Sequence, residues 1–455
     1  MIKTFFVIIL SICFPFTIFS QQPVFTIAMK TAQMDAVREA ARHAWEGYKK
    51  YASGFDDLKP LTKTGKNWYK HSLLMTPVDA WDTFTLLGLD KEASEAKAMI
   101  LEKLSFDVDD DVQVFEITIR QLGALITAYE KDGDKRFLNL ATDLANRMMP
   151  AFKTKTGIPY RYVHLQTGAV HDSINNPAEI GTLMMEFGQL SKITGDSQYY
   201  NAAKKAIMAV YNRRSKLDLP GERIDINTGK WVSTATHISG YIDSYFEYLY
   251  KSWLLFGDKD FKTAFDVHNR AIKKYLLKPT THGTFLQHVD MNTGKLLSTT
   301  YGALDAFYAG LCGFAGDMKT ARQIQDANYY MWTHYNIEPE EFDFLADTVS
   351  APYYILRPEN LESCFYLHRL TNDDKYLFMG KRMVDDILTH CRTEDAFASI
   401  RNVKTYEKMN SMESFFFGET LKYAYLIFAP AQTVNLKKQV FNTEAHLFNI
   451  INKWK

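Results

Sequence analysis

The chain has 455 residues, and 53 Lys and Arg residues balance 53 Asp and Glu residues, so its formal net charge is zero. This balance provides no electrostatic attraction for nucleic acid or for an anionic membrane surface, and neither is expected as a partner. Hydrophobic residues make up 46% of the chain and charged residues 23%, which excludes a disordered or fibrous protein and allows a large core.

Residues 1–20 are predicted to be a signal peptide. Lys3 precedes an apolar run from Phe5 to Phe19, the arrangement of a positive region followed by a hydrophobic region. A membrane anchor is the alternative, but the run is short for a span and Pro15 interrupts it. We therefore expect an exported protein, periplasmic or secreted, with no stable membrane insertion.

The rest of the chain, residues 21–455, is predicted to form one all-α domain. Apolar residues recur at helical spacing in fourteen segments, separated by Gly and Asp residues that suit helix ends and starts. The segments are 31–52, 76–88, 92–104, 112–131, 135–149, 178–193, 197–214, 239–256, 259–276, 301–314, 317–335, 359–370, 374–390 and 412–428.

The recurring Gly-Asp pairs, such as Gly195-Asp196 and Gly257-Asp258, predict tight helical hairpins, because Gly ends one helix and Asp caps the next. No linker divides the chain, which leaves a solenoid or a closed α/α barrel. No fixed-length repeat is visible, and this favours the barrel. Residues 223–232 and 285–297 each carry Asn-Thr-Gly within alternating polar and apolar residues and predict β-hairpins in inter-helix loops.

Cysteine usage does not indicate a disulfide scaffold or a zinc site. Beyond the predicted signal peptide, the chain has Cys312, Cys364 and Cys391, widely spaced and without a Cys-x-x-Cys motif. An odd number allows at most one bridge within a chain. The fold must therefore depend on its core.

Four apolar segments contain carboxylates, and these are the candidates for catalysis. They are VFEITIR with Glu116 and Arg120, YIDSYFEYLYK with Asp243 and Glu247, LRPENLES with Arg357, Glu359 and Glu362, and MESFFFGETLKY with Glu413, Glu419 and Lys422. Each segment alone is compatible with a structural ion pair. Together, carboxylates and aromatic residues in one helical barrel are typical of a sugar-cleaving site, which needs an acid, a base and stacking faces.

Other chemistries have no support in the sequence. A nucleophile elbow, a P-loop, a Rossmann glycine pattern and paired metal-binding histidines on a helix are all missing. His164, His237, His288 and His446 are candidates for the cleft, but ordinary polar or capping roles are the simpler interpretation.

The ordered set of motifs from about residue 40 to 447 resembles glycoside hydrolase family 47, the class I α-1,2-mannosidases. The motifs include TPVDAWDTFTLLGL, VFEITIRQLGALITAY, AEIGTLMMEFGQLSKITGD, IDSYFEYLYKSWLLFGD, YILRPENLESCFYLHRLTND, MESFFFGETLKYAYLIF and FNTEAH. The segments 150–160 and 303–317 are most similar to the branch of the ER-degradation-enhancing mannosidase-like proteins. With the leader segment, this pattern leads us to expect a bacterial exported member.

The resemblance implies an (α/α)7 barrel, a calcium ion at its floor and hydrolysis with inversion at the anomeric carbon. It implies that Glu359 is the general base and that Glu116 or Asp243 supplies the proton. It implies that Thr443 binds calcium. It assigns the remaining positions to the sugar or to calcium-bound waters: Arg120, Glu186, Arg357, Glu362, Phe415, Glu419 and Glu444.

The sequence departs from the family pattern at several positions. Ile117 stands where Thr or Asn is usual, His164 replaces an Asn, and Leu304-Asp305-Ala306-Phe307 replaces a His-Leu-x-Cys-Phe segment. A cysteine that would pair across that segment is also missing. These changes affect the expected substrate branch but leave every catalytic position intact.

The sequence therefore predicts a calcium-dependent, inverting α-1,2-mannosidase, a monomer that acts on mannose-rich oligosaccharides or glycoprotein glycans. The alternative is a lectin-like protein that binds such glycans with little turnover. Another sugar enzyme built on an α/α barrel is a third possibility, which FNTEAH disfavours.

Overall fold

The computed structural model describes residues 24–450, so the predicted signal peptide at residues 1–20 lies outside the described residues. The helices are α1 Ile27–Ala52, α2 Met75–Leu87, α3 Asp90–Lys103, α4 Val114–Ile117, α5 Gly123–Asp132, α6 Lys135–Met148, α7 Pro177–Gly181, α8 Met184–Thr194, α9 Ser197–Tyr211, α10 Asp243–Phe256, α11 Lys259–Tyr275, α12 Phe307–Phe314, α13 Met318–Tyr335, α14 Glu359–Thr371, α15 Lys375–His390 and α16 Leu421–Leu426. Two π-helical turns, Thr118–Leu122 and Phe416–Thr420, connect α4 to α5 and lead into α16.

The strands are short and pair in small antiparallel sheets. They are β1 Asp57–Lys59, β2 Thr64–Lys66, β3 Asp111–Gln113, β4 Tyr162–His164, β5 Val170–His171, β6 Ile174–Asn175, β7 Arg223–Asp225, β8 Trp231–Ser233, β9 Ala235–Thr236, β10 Leu277–Thr280, β11 Gly283–Leu286, β12 His288–Asp290, β13 Leu296–Ser298, β14 Thr300–Gly302, β15 Glu341–Asp343, β16 Thr348–Ala351, β17 Ile400–Asn402, β18 Glu407–Lys408, β19 Gln439–Phe441 and β20 Leu447–Asn449. Both predicted hairpins are present, as the pairs β7–β8 and β12–β13.

Seven helical pairs form the (α/α)7 barrel that was expected. The pairs are α2 with α3, α5 with α6, α8 with α9, α10 with α11, α12 with α13, α14 with α15, and α16 with α1. The last pair joins the two ends of the helical sequence, and α16 also packs against α2. The helices thus close into a ring rather than an open solenoid.

The Gly-Asp pairs form the tight corners that the sequence predicted. Gly195 ends α8 with φ +81° and Asp196 caps α9, accepting the backbone N–H of Gln198. Gly257 ends α10 with φ +69°, and Asp258 caps α11 in the same way. A left-handed residue costs glycine little, so each corner reverses the chain within two residues.

Three helices begin later than their apolar periodicity predicts. α12 begins at Phe307 rather than at residue 301, because Thr300–Gly302 pairs with β15 as strand β14 and a 3-10 turn follows it. α10 begins at Asp243 rather than at residue 239, because the carbonyl of Ser239 accepts the N–H groups of Ile242 and Asp243 and Tyr241 is left-handed with φ +76°. The segment 412–428 becomes helical only at Phe416, and first as a π turn. The late starts of α10 and of the segment 412–428 place the candidates Asp243 and Glu419 at the first turn of a helix.

The hairpin β19–β20 lies inside the ring and forms the floor of the barrel, where it packs against α5 and α10. Asn442 begins its tip: its side-chain oxygen accepts the N–H groups of Glu444 and His446. Its amide donates to the carbonyl of Ile119 at 2.9 Å. Gly123 permits this approach, because a Cβ there would lie 2.6 Å from the Asn442 amide nitrogen.

A buried ion network holds the hairpin tip in place. The Lys422 ammonium lies 2.9 and 3.0 Å from the two Asp82 oxygens and donates to the Ala445 carbonyl at 2.6 Å. His446 lies 3.4 Å from Asp82 and 3.5 Å from Asp79. Burial opposes ionisation of Asp82, but Lys422 and His446 lower its pKa to about 2.

The three cysteines Cys312, Cys364 and Cys391 are buried and unbridged, in agreement with a fold that depends on its core. None of the helices within residues 24–450 combines the length and apolar composition that a bilayer crossing requires.

Replacing Lys422 by Met should strongly destabilise the protein. The substitution leaves Asp82 buried without its cation, a loss typically worth about 3–5 kcal/mol. Chemical denaturation would measure it, with the exposed Lys437→Met as the matched control, for which we expect a change of about 0.5 kcal/mol or less. Equal stability of the two variants would show that the network does not hold the floor.

Candidate active site

A cavity of about 280 Å³ lies above the hairpin tip, and ten of the eleven predicted site residues line it. They come from four parts of the ring and from the floor. The ten are Glu116, Arg120, Asp243, Arg357, Glu359, Glu362, Phe415, Glu419, Thr443 and Glu444. The eleventh, Glu186, is not among the lining residues.

The three predicted catalytic carboxylates occupy first turns of helices of the ring. Glu116 lies in α4, Asp243 is the first residue of α10, and Glu359 is the first residue of α14. The N-terminus of a helix carries partial positive charge from its free N–H groups, which favours anions there. The positions therefore suit groups that carry negative charge during a reaction.

Arg120 connects the cavity wall to the floor. Its guanidinium donates to Glu116 at 3.0 Å and to Glu444 at 2.5 Å. It also lies 5.2 Å from the ring of Trp68 and 5.6 Å from the ring of Phe415. Burial disfavours its charge, but the adjacent carboxylates outweigh this and raise the pKa of Arg120.

Arg357 is the second buried guanidinium of the site. It donates two hydrogen bonds to Glu340, at 2.6 and 3.1 Å, and lies 3.9 Å from Glu359. Its guanidinium is 5.7 Å from the ring of Phe415, so Phe415 packs between the two arginines. This fixes one aromatic face and two cations around the same space.

Glu359 has the environment of a general base. Its Oε2 is buried and has no hydrogen-bond partner among the described residues. Burial raises the pKa of Glu359 to about 8, against the opposing effect of Arg357. An unpartnered carboxylate oxygen in a cavity wall can accept a hydrogen bond from a water molecule and then its proton.

Asp243 has a different environment, which favours its protonated form less strongly. Its Oδ1 accepts the backbone N–H of Ser244 at 2.6 Å and the Ser244 hydroxyl at 3.1 Å. Burial raises the pKa of Asp243 to about 6, and nearby Glu247 contributes in the same direction. A carboxyl with this pKa can act as an acid at mildly acidic pH.

Glu362 lies one turn after Glu359 and belongs to a buried polar cluster. The Tyr423 hydroxyl donates to it at 3.3 Å, and the Lys251 ammonium lies 3.8 Å away. Lys251 also forms a buried ion pair with Glu247. Burial raises the pKa of Glu362 to about 8, although Lys251 opposes it.

Glu419 and Glu444 face each other across the cavity floor. Burial raises the pKa of both carboxyls, and the charge of Glu444 raises that of Glu419 further. The two carboxyls are close enough for each to affect the pKa of the other. The floor thus holds two acidic groups beside one guanidinium, that of Arg120.

Glu186 lies below the cavity and supports the floor. Its Oε1 accepts the Tyr248 hydroxyl at 2.6 Å and the Asn442 amide at 2.8 Å, while its Oε2 is buried without a partner among the described residues. Tyr248 in turn accepts the backbone N–H of Thr443 at 3.4 Å. Burial raises the pKa of Glu186 to about 8.

None of the four histidine candidates lines the cavity. His164 lies 3.0 Å from Asp109, in the sheet that contains β4. His237 stacks on His288 with a ring separation of 4.3 Å. His446 belongs to the ion network below the floor, so the simpler polar roles apply to all four.

The floor fits an oxygen-binding divalent cation held mainly through waters. Thr443 lines the cavity, acidic side chains surround it, and Glu186 below it has a buried oxygen without a partner among the described residues. Within residues 24–450 no group of three or more His, Cys, Asp or Glu side chains is arranged to bind one metal directly. A hard cation such as calcium accepts hydroxyl, carbonyl and water oxygens, which this arrangement can supply.

Sequence reasoning missed several residues that shape the site. Glu340 holds Arg357, Trp68 covers Arg120, and Lys251 pairs with Glu247. Glu247 and Lys251 are one helical turn apart in a largely apolar segment, which was a usable signal. Glu340 and Trp68 lie in loops away from their partners in sequence, and no sequence pattern pointed to them.

Comparison with known proteins agrees with this geometry. The family model of Glycosyl hydrolase family 47 matches residues 40–450. The chain is 36% identical to mannosyl-oligosaccharide 1,2-alpha-mannosidase MNS1 of Arabidopsis thaliana, over 91% of this chain and 78% of that protein. It is 34% identical to ER degradation-enhancing alpha-mannosidase-like protein 2 of Homo sapiens, over 90% and 72%.

A solved structure has the same architecture. The alpha-1,2-mannosidase from Trichoderma reesei superposes with a TM-score of 0.85 at 29% identity, covering 92% of this chain and 99% of that one. The family model covers most of the chain, and the site residues that the resemblance predicted, except Glu186, line one cavity. The chain therefore belongs to glycosyl hydrolase family 47, a family of glycoside hydrolases.

Proposed function

We propose that this protein is a calcium-dependent, inverting α-1,2-mannosidase that removes terminal mannose from mannose-rich glycans. The observation that carries the proposal is the unpartnered Oε2 of Glu359 in the wall of a cavity that Asp243 and Glu116 also line. The mannosidase names of the relatives support the substrate class.

The reaction is a single displacement. Glu359 removes a proton from a water molecule as the water oxygen bonds to the anomeric carbon, and the glycosidic bond breaks on the opposite face. The leaving oxygen receives a proton from Asp243 or from Glu116, directly or through a water. Water is consumed, and no covalent enzyme intermediate forms.

Phe415 and the two arginines around it suit the terminal sugar. An aromatic face packs on the apolar C–H face of a pyranose, and guanidinium and carboxylate groups bond its hydroxyls. Glu362, Glu419 and Glu444 line the same cavity and are placed to accept hydrogen bonds from those hydroxyls.

Calcium is proposed on the fit of the floor, with the Thr443 hydroxyl and carbonyl as its protein ligands. Glu186, Glu362, Glu419 and Glu444 would bind waters of the ion or hydroxyls of the sugar. The ion would supply charge and orientation for the hydroxyls of the bound sugar.

The branch and location remain proposals as well. The similarity to an ER degradation-enhancing mannosidase-like protein supports placing the chain near that branch. The apolar run from Phe5 to Phe19 supports export to the periplasm or medium. A bacterial source and a monomeric state stay predictions.

The lectin-like alternative is disfavoured because Glu116, Asp243 and Glu359 are all present at one cavity.

The wild-type protein should release mannose from an α-1,2-linked dimannoside, and the first product should be the β-anomer. In one displacement the water enters on the face opposite the leaving group, which inverts the configuration. Rapid NMR of the anomeric proton, recorded before mutarotation, would show which anomer forms first.

The matched isosteric control is Glu359→Gln, which should reduce kcat about 10²–10⁴-fold and still bind the sugar. Initial α-mannose would contradict the role of Glu359, and binding without release by the wild type would support the lectin alternative.

Removing calcium should abolish most of the activity and lower the melting temperature. A ligand that binds only the folded barrel stabilises it by about 2.7 kcal/mol at a concentration 100 times its Kd. EDTA treatment followed by calcium addition would show both effects. Thr443→Ala should lose the calcium-dependent rise in melting temperature, whereas Thr443→Ser should retain it. Full activity in metal-free protein would refute the proposed ion.

The alkaline side of the pH profile should identify the proton donor. Burial raises the pKa of Glu359 to about 8 and that of Asp243 to about 6, so the reactive form, with Glu359 ionised and Asp243 protonated, is a minor one. If Asp243 is the donor, kcat/KM should therefore rise up to a pH of about 6 and fall above a pH of about 8. Asp243→Asn should then lower kcat/KM and remove this fall, while Glu116→Gln should keep it. Removal of the fall by Glu116→Gln instead would assign the donor role to Glu116.

A further inference from the structure

Glu338 is a buried acid behind the site that the proposed reaction does not use. It lies in the loop between α13 and β15 with no solvent exposure. Its Oε2 accepts the Asn360 amide at 3.0 Å, and its Oε1 has no hydrogen-bond partner among the described residues. Asn360 directly follows the proposed base Glu359 in the first turn of α14.

Asn360 is held by a chain of fully buried side chains. The Tyr301 hydroxyl donates to Asn328 at 2.5 Å, and the Asn328 amide donates to Gln325 at 3.1 Å. Gln325 donates to the Asn360 oxygen at 2.8 Å, and the Asn360 amide also donates to the Asn328 carbonyl at 3.1 Å. Glu338 is the last acceptor of this network. The amides of Asn328, Gln325 and Asn360 have partners in this geometry, and another geometry would leave some of them unpaired.

Burial and the neighbouring charges together determine the ionisation state of Glu338. Glu338, Glu340 and Glu359 are neighbouring carboxyls, and Arg357 is the guanidinium beside them. Arg357 is bound in bidentate fashion by Glu340 and lies 3.9 Å from Glu359. It acts on Glu338 through its charge, but among the described residues it forms no hydrogen bond to the Glu338 carboxyl, whose Oε2 accepts Asn360 and whose Oε1 has no partner. An ionised carboxylate without a cation or a second donor is strongly disfavoured at full burial.

We propose that Glu338 is a positioning residue for Glu359: as a neutral carboxylic acid it holds Asn360 and thereby orients the base, without placing a second negative charge behind it. This inference rests on the proposed function, in which Glu359 is the base.

Its electrostatic surroundings agree with a neutral acid. Burial raises the pKa of Glu338 well above its usual value, and Glu359 and Glu340 act in the same direction. The other titratable groups that act on it or that it acts on are Arg357, Tyr301, Tyr354 and Cys364. Of these only Arg357 is a cation, and its hydrogen bonds go to Glu340.

Two substitutions test the proposal. Glu338→Gln keeps the shape and neutrality of the protonated acid, so we expect kcat, KM and the pH profile to stay within about twofold of wild type. Glu338→Leu leaves the Asn360 amide without its acceptor, so we expect kcat to fall about 10–100-fold with KM nearly unchanged, as for a misplaced catalytic group. Thermal melting of both variants would confirm that they are folded under the conditions of the activity assay.

Infrared difference spectra of wild type minus Glu338→Gln provide a readout independent of activity. A band of a protonated carboxyl at neutral pH is expected, and only carboxylate bands would overturn the neutral state. A shift to lower pH of the Glu359 limb of the pH profile, near pH 8, in Glu338→Gln would also overturn it, since that is the effect of removing a negative charge beside Glu359.

The positioning role is overturned if folded Glu338→Leu has wild-type kcat. Glu359→Gln separates this from failure of the proposed function. If Glu359→Gln is inactive, Glu359 is confirmed as essential, and the Glu338 variants then test only whether Glu338 positions it. If Glu359→Gln is fully active, the proposed base is wrong and the inference falls with it.

Discussion

The floor of the site depends on one buried ammonium, that of Lys422. It neutralises Asp82 and also donates to the carbonyl of Ala445, a residue with a left-handed backbone at the hairpin tip. Thr443 and Glu444, the floor residues of the cavity, are the two residues before that carbonyl. A buried ion pair is rarely a gain in stability over apolar packing, but it specifies one arrangement, because every alternative leaves a charge unpaired. Here the specified arrangement is the depth of the hairpin within the barrel.

In and around the floor, the structure concentrates acidic groups at the expense of stability. Burial raises the pKa values of Glu186, Glu359, Glu362, Glu419 and Glu444, so each disfavours its ionised form in the protein alone. Residues chosen only for stability would not be arranged in this way, because like charges in a low dielectric repel strongly. The arrangement is explained by groups that arrive from outside: sugar hydroxyls, waters and the proposed cation.

Much of this could be predicted from sequence, because the ring helices are amphipathic or apolar over several turns and their ends carry Gly and Asp. The carboxylates of Glu116 and Glu359 stood out for the same reason, as charged residues within apolar periodicity. The periodicity failed before Asp243, where a left-handed Tyr241 delays the helix, and at the π turn of Glu419. Such local departures follow from tertiary contacts that no periodic pattern records. Partners supplied by loops, such as Glu340 and Trp68, were unpredictable for the same reason.

The pairing of α16 with α1 has a consequence for the order of assembly. The ring cannot close until the chain has been synthesised as far as residue 426, because its final helix is the partner of its first. The hairpin at residues 439–449 can take its place in the floor only after that. Contacts between residues so distant in sequence form slowly, since the intervening chain must first be ordered. A nascent chain therefore carries its three proposed catalytic carboxylates long before it has a floor, and the site is complete only after residues 439–449 have been added.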